Sequence, residues 1–468
     1  MITLRLRQAG LYLSLLGSAC LTLLTIGCDV SPPSESAVRS ANPSGIVELN
    51  SSVITIGDYD ITSNRCVEMV DRAAAYRQSK IMFVPTLFWM QTGNGPIEHY
   101  CFNRYQDQNG KYQCDAADSQ KIASYQAAMQ RCFQRAVDAG LSIAVTPHLD
   151  DGRAEGRWRN VLVFDPLEKK KGYSYAEAIL FPLVDALTAV AKESTQVFFG
   201  MQGEMSATVF RHPESWRRLA SMIKDRVAQA RGTVVRNNFQ LGVSTNFNKL
   251  CGCVGVDIIN PEEFVQRYPV LWEKVKGEFD LNAISALYHE LDYFGMSSYP
   301  SLSPNFATGD IESAIYQFDF EFQYFGLSVN DLIKKGKKVH FSEYGLGGGS
   351  SQNGDVKAKT AEEAALYPFF GIFGGYRRDT DPWELAYLDR PSPVRDYQRY
   401  FYTKTLEYLR YEKDYRYRVD AAFIWNQSSW DVQAIYPDST SSEGSYRDPV
   451  IVDMINKHNA AAMSAQSR

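Results

Sequence analysis

Residues 196–213 read Gln196-Val197-Phe198-Phe199-Gly200-Met201-Gln202-Gly203-Glu204-Met205-Ser206-Ala207-Thr208-Val209-Phe210-Arg211-His212-Pro213. A β-branched and aromatic run comes first, an acidic residue follows its polar end, and a proline then opens a helix. Proline is favourable at the first helical turn because that N–H has no intrahelical partner. The stretch therefore predicts a strand, a loop carrying a carboxylate, and a helix.

The same unit recurs on both sides. Towards the N-terminus lie Val53–Ile56 with a helix near Arg65–Gln78, then Ile81–Val84 with a helix near Ser119–Ala139. Leu141–Val145 follows, with a helix near Tyr173–Lys192. Towards the C-terminus lie Gln240–Ser244, Tyr293–Ser297 with a helix after Ile311, Lys338–Ser342, and Ala421–Trp425 after a helix near Val394–Leu409. Eight short apolar strands alternating with helices predict a parallel sheet buried on both faces. Eight is the number that closes a (β/α)8 TIM barrel. The competing open doubly wound sheet would carry a glycine-rich phosphate turn after its first strand. Gly57-Asp58-Tyr59-Asp60 is not one.

Three connections stand out as long βα loops: 91–118, 246–282 and 345–393, the last opening with Gly347-Gly348-Gly349-Ser350-Ser351. Long loops at a barrel mouth shape a cleft. The expected organisation is a signal peptide over 1–27, a Ser/Pro-rich tether over 28–45, the barrel over 46–440 and a C-terminal tail over 441–468. Arg5 and Arg7, an apolar stretch to Ile26, and Gly27-Cys28 make the export signal. Gly27-Cys28 resembles a bacterial lipobox, in which Cys28 is acylated and anchors the protein to a membrane. The resulting expectation is an exported lipoprotein, periplasmic or cell-surface.

Outside the signal and Cys28, six cysteines remain: Cys66, Cys101, Cys114, Cys132, Cys251 and Cys253. An even number in an oxidising compartment predicts disulfides. Cys101 and Cys114 flank a polar loop and are the pair expected first. Cys251-Gly252-Cys253 has no neighbouring His or second Cys pair, so zinc is not expected. No cofactor is called for either. A net charge of −5 and the lack of a Lys/Arg run argue against a nucleic-acid partner. The chain is expected to act as a monomer. Its 13% aromatic content suits a large core and sugar-stacking platforms alike.

In a barrel of this kind chemistry sits at the C-terminal strand ends. Those ends read His148-Leu149-Asp150-Asp151-Gly152 after the third strand, Glu204 after the fourth and Thr245-Asn246 after the fifth. Tyr299 follows the sixth, Glu343-Tyr344-Gly345 the seventh and Trp425-Asn426-Gln427 the eighth. Two glutamates at equivalent places on different strands can flank one bond. A retaining glycosidase needs such a pair, one carboxyl to protonate the leaving oxygen and one to attack the anomeric carbon. Tyr299 is placed to donate to Glu343.

These residues resemble clan A of the glycoside hydrolases. Thr146–Gly152 followed by Trp158-Arg159, together with Gly200–Met205, Ser244–Asn246, Phe294–Tyr299 and Val339–Gly345, is similar to family 113, the β-mannanases. The resemblance implies a retaining β-glycosidase acting on a carbohydrate, with Glu204 as acid/base and Glu343 as nucleophile. It also implies that Tyr299 orients Glu343, that His148, Asp150, Trp158 and Asn246 line glycone subsites, and that Trp425 floors the cleavage point. Trp89, Trp383 and Trp430 are candidates for more distant subsites. The chain departs from the clan in having Gly203 where an Asn commonly precedes the acid/base. A barrel that binds glycans without cleaving them is the alternative.

Overall fold

The computed structural model describes residues 45–56, 65–91, 93, 95–255, 261–300, 302–346, 360–366, 393–410, 415–425 and 448–466. Eight strands form the barrel: β1 (Leu49–Ile56), β2 (Lys80–Gln91), β3 (Ser142–Val145), β4 (Val197–Gly203), β5 (Phe239–Asn246), β6 (Tyr293–Ser298), β7 (Lys338–Tyr344) and β8 (Ala421–Ile424). All run parallel in chain order. β8 pairs back onto β1 in the register Leu49↔Ala422 to Ser51↔Ile424. The ring is therefore closed, which leaves no exposed barrel edge.

Helices alternate with these strands: α1 (Arg65–Ala74), α2 (Ser119–Asp138), α3 (Phe181–Val190), α4 (Pro213–Asn238), α5 (Leu281–Glu290), α6 (Ser313–Tyr324), α7 (Pro393–Tyr408) and α8 (Pro449–Gln466). Their starts follow capping chemistry. The Asp118 carboxylate accepts from Lys121 N at 2.8 Å at the head of α2, and Asp280 accepts from Ala283 N at 3.0 Å at the head of α5. Helix α8 occupies much of the segment 441–468 that was expected to be a tail. Its Ile451, Ile455 and Ala462 are buried on one helical face. Asn459 exchanges two hydrogen bonds with the Leu49 backbone, at 3.0 and 2.9 Å. Helix α8 thus closes the outer ring against the first strand.

Two faces of each strand serve two cores. Ile54, Met82, Val84, Ala144, Phe198, Tyr293, Ala421 and Phe423 fill the barrel interior. Their neighbours of opposite parity, such as Phe83, Val145, Phe199, Val243, Phe294 and Phe341, pack outward beneath the helices. The Tyr293 ring needs room. A Cβ on Gly242 would lie 2.6 Å from it, so only glycine fits there.

The three loops expected to be long have different fates. Within 91–118, a two-stranded ribbon (104–106 with 112–114) is fastened by the Cys101–Cys114 disulfide. Within 246–282, the Cys251–Cys253 disulfide is followed by a helix, Pro261–Val275. Most of 345–393, including the glycine run from Gly347 and Trp383, lies outside the described residues, as do Cys28, Asn426, Gln427 and Trp430. A third disulfide, Cys66–Cys132, ties α1 to α2. Among the described residues no helix is long and apolar enough to cross a membrane.

Candidate active site

Regular pairing breaks where the barrel opens. The ladder shifts register between Gly200 and Gly203 on β4, between Met296 and Ser297 on β6, and between Phe341 and Tyr344 on β7. Bulges re-aim side chains, and these three sit at or beside Glu204, Tyr299 and Glu343. Glu204 adopts φ +60°, the left-handed region that a residue with a Cβ enters at a cost. Its surroundings hold it there. Gly203 N donates to Pro147 O at 2.8 Å, Glu204 N to Ser244 O at 2.9 Å, and Met205 N to the Gln202 side chain at 2.7 Å.

Glu343 lies at the end of β7 and is 3% exposed. Tyr299 Oη donates to Glu343 Oε2 at 3.0 Å. His148 Nε2 lies 2.8 Å from Glu343 Oε1, off the line of a straight hydrogen bond. Burial, and then the positive charge of Arg159, push the His148 imidazole down to about pKa 3. It is therefore neutral at ordinary pH. The contact is one between a neutral ring and a carboxylate, not an ion pair.

Glu204 is 8% exposed. Arg159 Nη1 donates to Glu204 Oε2 at 2.7 Å, Arg159 Nη2 pairs with Asp150 Oδ1, and Arg159 Nε donates to Leu149 O at 3.0 Å. Burial raises the Glu204 carboxyl above its ordinary value, the charge of Glu343 raises it further, and the charge of Arg159 opposes them. The two glutamates therefore lie within each other's electrostatic reach.

His148 packs against the ends of both strands. Its ring touches Glu343 on one side. On the other, a Cβ added to Gly203 would lie 2.4 Å from His148 Cδ2 and 2.6 Å from Nε2. Glycine at 203 is thus required by the ring packed against it. His148 is only 2% exposed and stacks on Trp425 at 5.8 Å between ring centroids.

The remaining expected residues divide. Asn246, at the end of β5, is buried at 7% exposure with Nδ2 unpartnered. Trp425 is half-buried beside His148. Trp158 is half-buried, with Lys249 Nζ 5.9 Å from its ring centre. Asp150 lies at the rim, its side chain 36% exposed and paired with Arg159. Trp89 is different, because it is fully buried. β2 continues past the barrel as far as Gln91, pairing with the His148–Asp151 segment and with Ile97–Cys101. Its ring faces the core and has no surface to offer a sugar.

Two features were not visible as functional in the sequence. The Asp151 carboxylate accepts from the backbone N–H groups of Arg153, Glu155 and Arg157 at 3.0, 2.9 and 3.3 Å. It thereby folds the loop that delivers Trp158 and Arg159. Gly152 permits this turn, since a Cβ there would meet Met90 Sδ and Trp89 O at 2.7 Å. The Asp-Gly pair is the only local signal for it. Among the described residues no cluster of three or more His, Cys, Asp or Glu is placed to hold a metal ion.

No protein-family model matches the sequence, and no curated protein matches it either. Solved structures resemble the chain at low identity. The chain is similar to a family 113 β-1,4-mannanase with TM-score 0.44 and 12% identity, over 90% of this chain and 99% of that one. It is similar to the family 113 β-mannanase of Alicyclobacillus acidocaldarius with TM-score 0.43 and 12% identity, over 89% and 98%. It is also similar to the β-mannanase of the blue mussel Mytilus edulis, with TM-score 0.36 and 10% identity, over 83% and 89%. A barrel does not by itself state a function, so function has to be read from the side chains.

Proposed function

We propose that the chain is a retaining β-glycoside hydrolase that acts on a β-linked polysaccharide or oligosaccharide. One observation carries the reading. Two buried carboxylates stand at the ends of β4 and β7 within each other's electrostatic reach, in different surroundings. Glu204 is raised by burial and by Glu343, while Glu343 accepts a hydrogen bond from Tyr299. Such divergence separates an acid from a nucleophile.

In the first half-reaction Glu343 attacks the anomeric carbon. The glycosidic C–O bond breaks, and the leaving oxygen takes the proton of Glu204. In the second, water adds to the anomeric carbon, the ester bond to Glu343 breaks, and Glu204 accepts the proton of the water. The half-buried ring of Trp425, stacked on His148, is the platform for the sugar at the cleavage point. Asn246 and Asp150 offer polar groups to its hydroxyls. The strand-end motifs are those similar to the β-mannanases, which makes β-mannan the first substrate to test.

Export with a lipid anchor on Cys28 completes the proposal. Three disulfides support an oxidising compartment. The test incubates the protein with β-mannan, other β-glycans and aryl β-glycosides, and follows the product anomer by NMR. Turnover with retained configuration is expected. Glu343→Ala should lower it by about a thousandfold or more. Sugar binding without any turnover by the unsubstituted protein would sink the catalytic reading in favour of a glycan-binding barrel.

A further inference from the structure

The mechanism just described makes no use of Arg159, yet the fold invests heavily in placing it. Its three donor positions are all engaged, on Glu204, Asp150 and Leu149 O. Its side chain is only 18% exposed. The loop that carries it is folded by the Asp151 carboxylate. A guanidinium held as a fork on two carboxylates is a rigid fixture, unlike a solvated surface pair.

The location is chemically odd for the first half-reaction. A cation favours the carboxylate form of its neighbour, whereas Glu204 must begin as an acid. The second half-reaction reverses the need, because Glu204 must then be ionised to take a proton from water. The negative charge on Glu343 favours the acid form only until the glycosyl ester forms and that charge disappears. A fixed cation on Glu204 then decides what remains.

Resting on the glycosidase reading above, we propose that Arg159 is a positioning residue for Glu204, which clamps Oε2, leaves Oε1 for the reacting oxygen, and favours the base form in the half-reaction where water attacks. Asp150 tempers the clamp by sharing the guanidinium. The groups facing Glu204 are Arg159, Asp150 and His148 from the β3 side, Glu343 from β7 and the Ser297 hydroxyl from β6. His148 is neutral, so the charges that count are Glu343, Arg159 and Asp150.

The prediction has opposite signs for two variants. In the unliganded full chain, labelled with 13C-glutamate and assigned with Glu204→Gln, Arg159→Met should move the Glu204 titration midpoint upward by about one pH unit or more. Asp150→Asn frees the guanidinium for Glu204 and should move it downward. With an activated aryl β-glycoside, Arg159→Met should slow hydrolysis of the glycosyl-enzyme by about tenfold or more, and by more than it slows ester formation. Arg159→Lys keeps the charge without the fork. It should hold the midpoint near that of the unsubstituted protein while still slowing the second step, and it serves if Arg159→Met does not fold. A midpoint unmoved by Arg159→Met, a shift of the same sign in Asp150→Asn, or equal slowing of both steps would overturn the proposal. Should the unsubstituted protein cleave no glycoside, the glycosidase reading fails by itself, and the titrations still decide whether Arg159 governs Glu204.

Discussion

The two sides of the barrel mouth solve the problem of a buried carboxylate in different ways. Glu343 touches the Tyr299 hydroxyl and the neutral His148 ring, and it also feels the charge of Arg159. Glu204 is met by a full positive charge that it shares with Asp150. The backbones differ too: Glu343 is the next-to-last residue of its strand, at a register shift, whereas Glu204 follows its strand in a left-handed conformation. A hydroxyl donor fixes the direction of a carboxylate. A charged clamp sets how readily a group gives up and regains a proton. Equivalent positions on two strands thus become unequal in function through what packs beside them.

The comparison breaks most visibly if Glu204 is not the proton donor. Glu204→Gln is expected to lower kcat/KM on β-glycans by about a hundredfold to ten-thousandfold. It should do much less for ester formation from aryl glycosides whose leaving groups need no proton. A uniform loss across leaving groups, in a Brønsted series, would remove Glu204 from its role. In the unsubstituted enzyme, activity on glycans should fall as pH rises through the Glu204 titration, since the acid form is consumed there. Because that carboxyl is raised, the fall should begin above the ordinary carboxylate range.

Tyr299→Phe sharpens the Glu343 side. It removes one hydrogen bond to a charged group, worth about 1.5–3 kcal/mol, or about ten- to a hundredfold in kcat/KM. The effect should leave the Glu204 titration in place, which a 13C measurement reads directly. A smaller effect is expected where the two sides meet. Gly203→Ala pushes a methyl group into His148, an overpacking that costs about 1–3 kcal/mol of stability. It displaces the ring from Glu343 and should reduce kcat by about tenfold. Thermal melting and kinetics together check it. A stable Gly203→Ala variant with full activity would show that the His148–Glu343 contact does not matter to turnover.

Much of the architecture was legible in the sequence because its signals are local. Each barrel strand is an apolar run buried on both faces, and each run ends in polar residues at the mouth. The eight strands and most helices therefore fall within a few residues of where the pattern puts them. Helix α8 falls in the segment expected to be a tail, although Ile451, Ile455 and Ala462 carry a helical spacing. Its partner is β1, some 400 residues away in the chain, at Asn459 and Leu49. Trp89 misled for a related reason. A tryptophan beyond a strand end reads as a cleft platform, but β2 runs on to Gln91 and turns the ring inward.

The sequence by itself set the number and order of the strands, the two glutamates, the tyrosine opposite one of them, and the six cysteines of the body. Those are properties of residue type and short spacing. Only the tertiary structure decided that His148 wedges between Gly203 and Glu343, that Arg159 grips Glu204 and Asp150 together, and that the other cysteines pair as 66–132 and 251–253. Protonation and orientation depend on burial and on charges brought together from distant parts of the chain. Distances of that kind exist only after the barrel has closed.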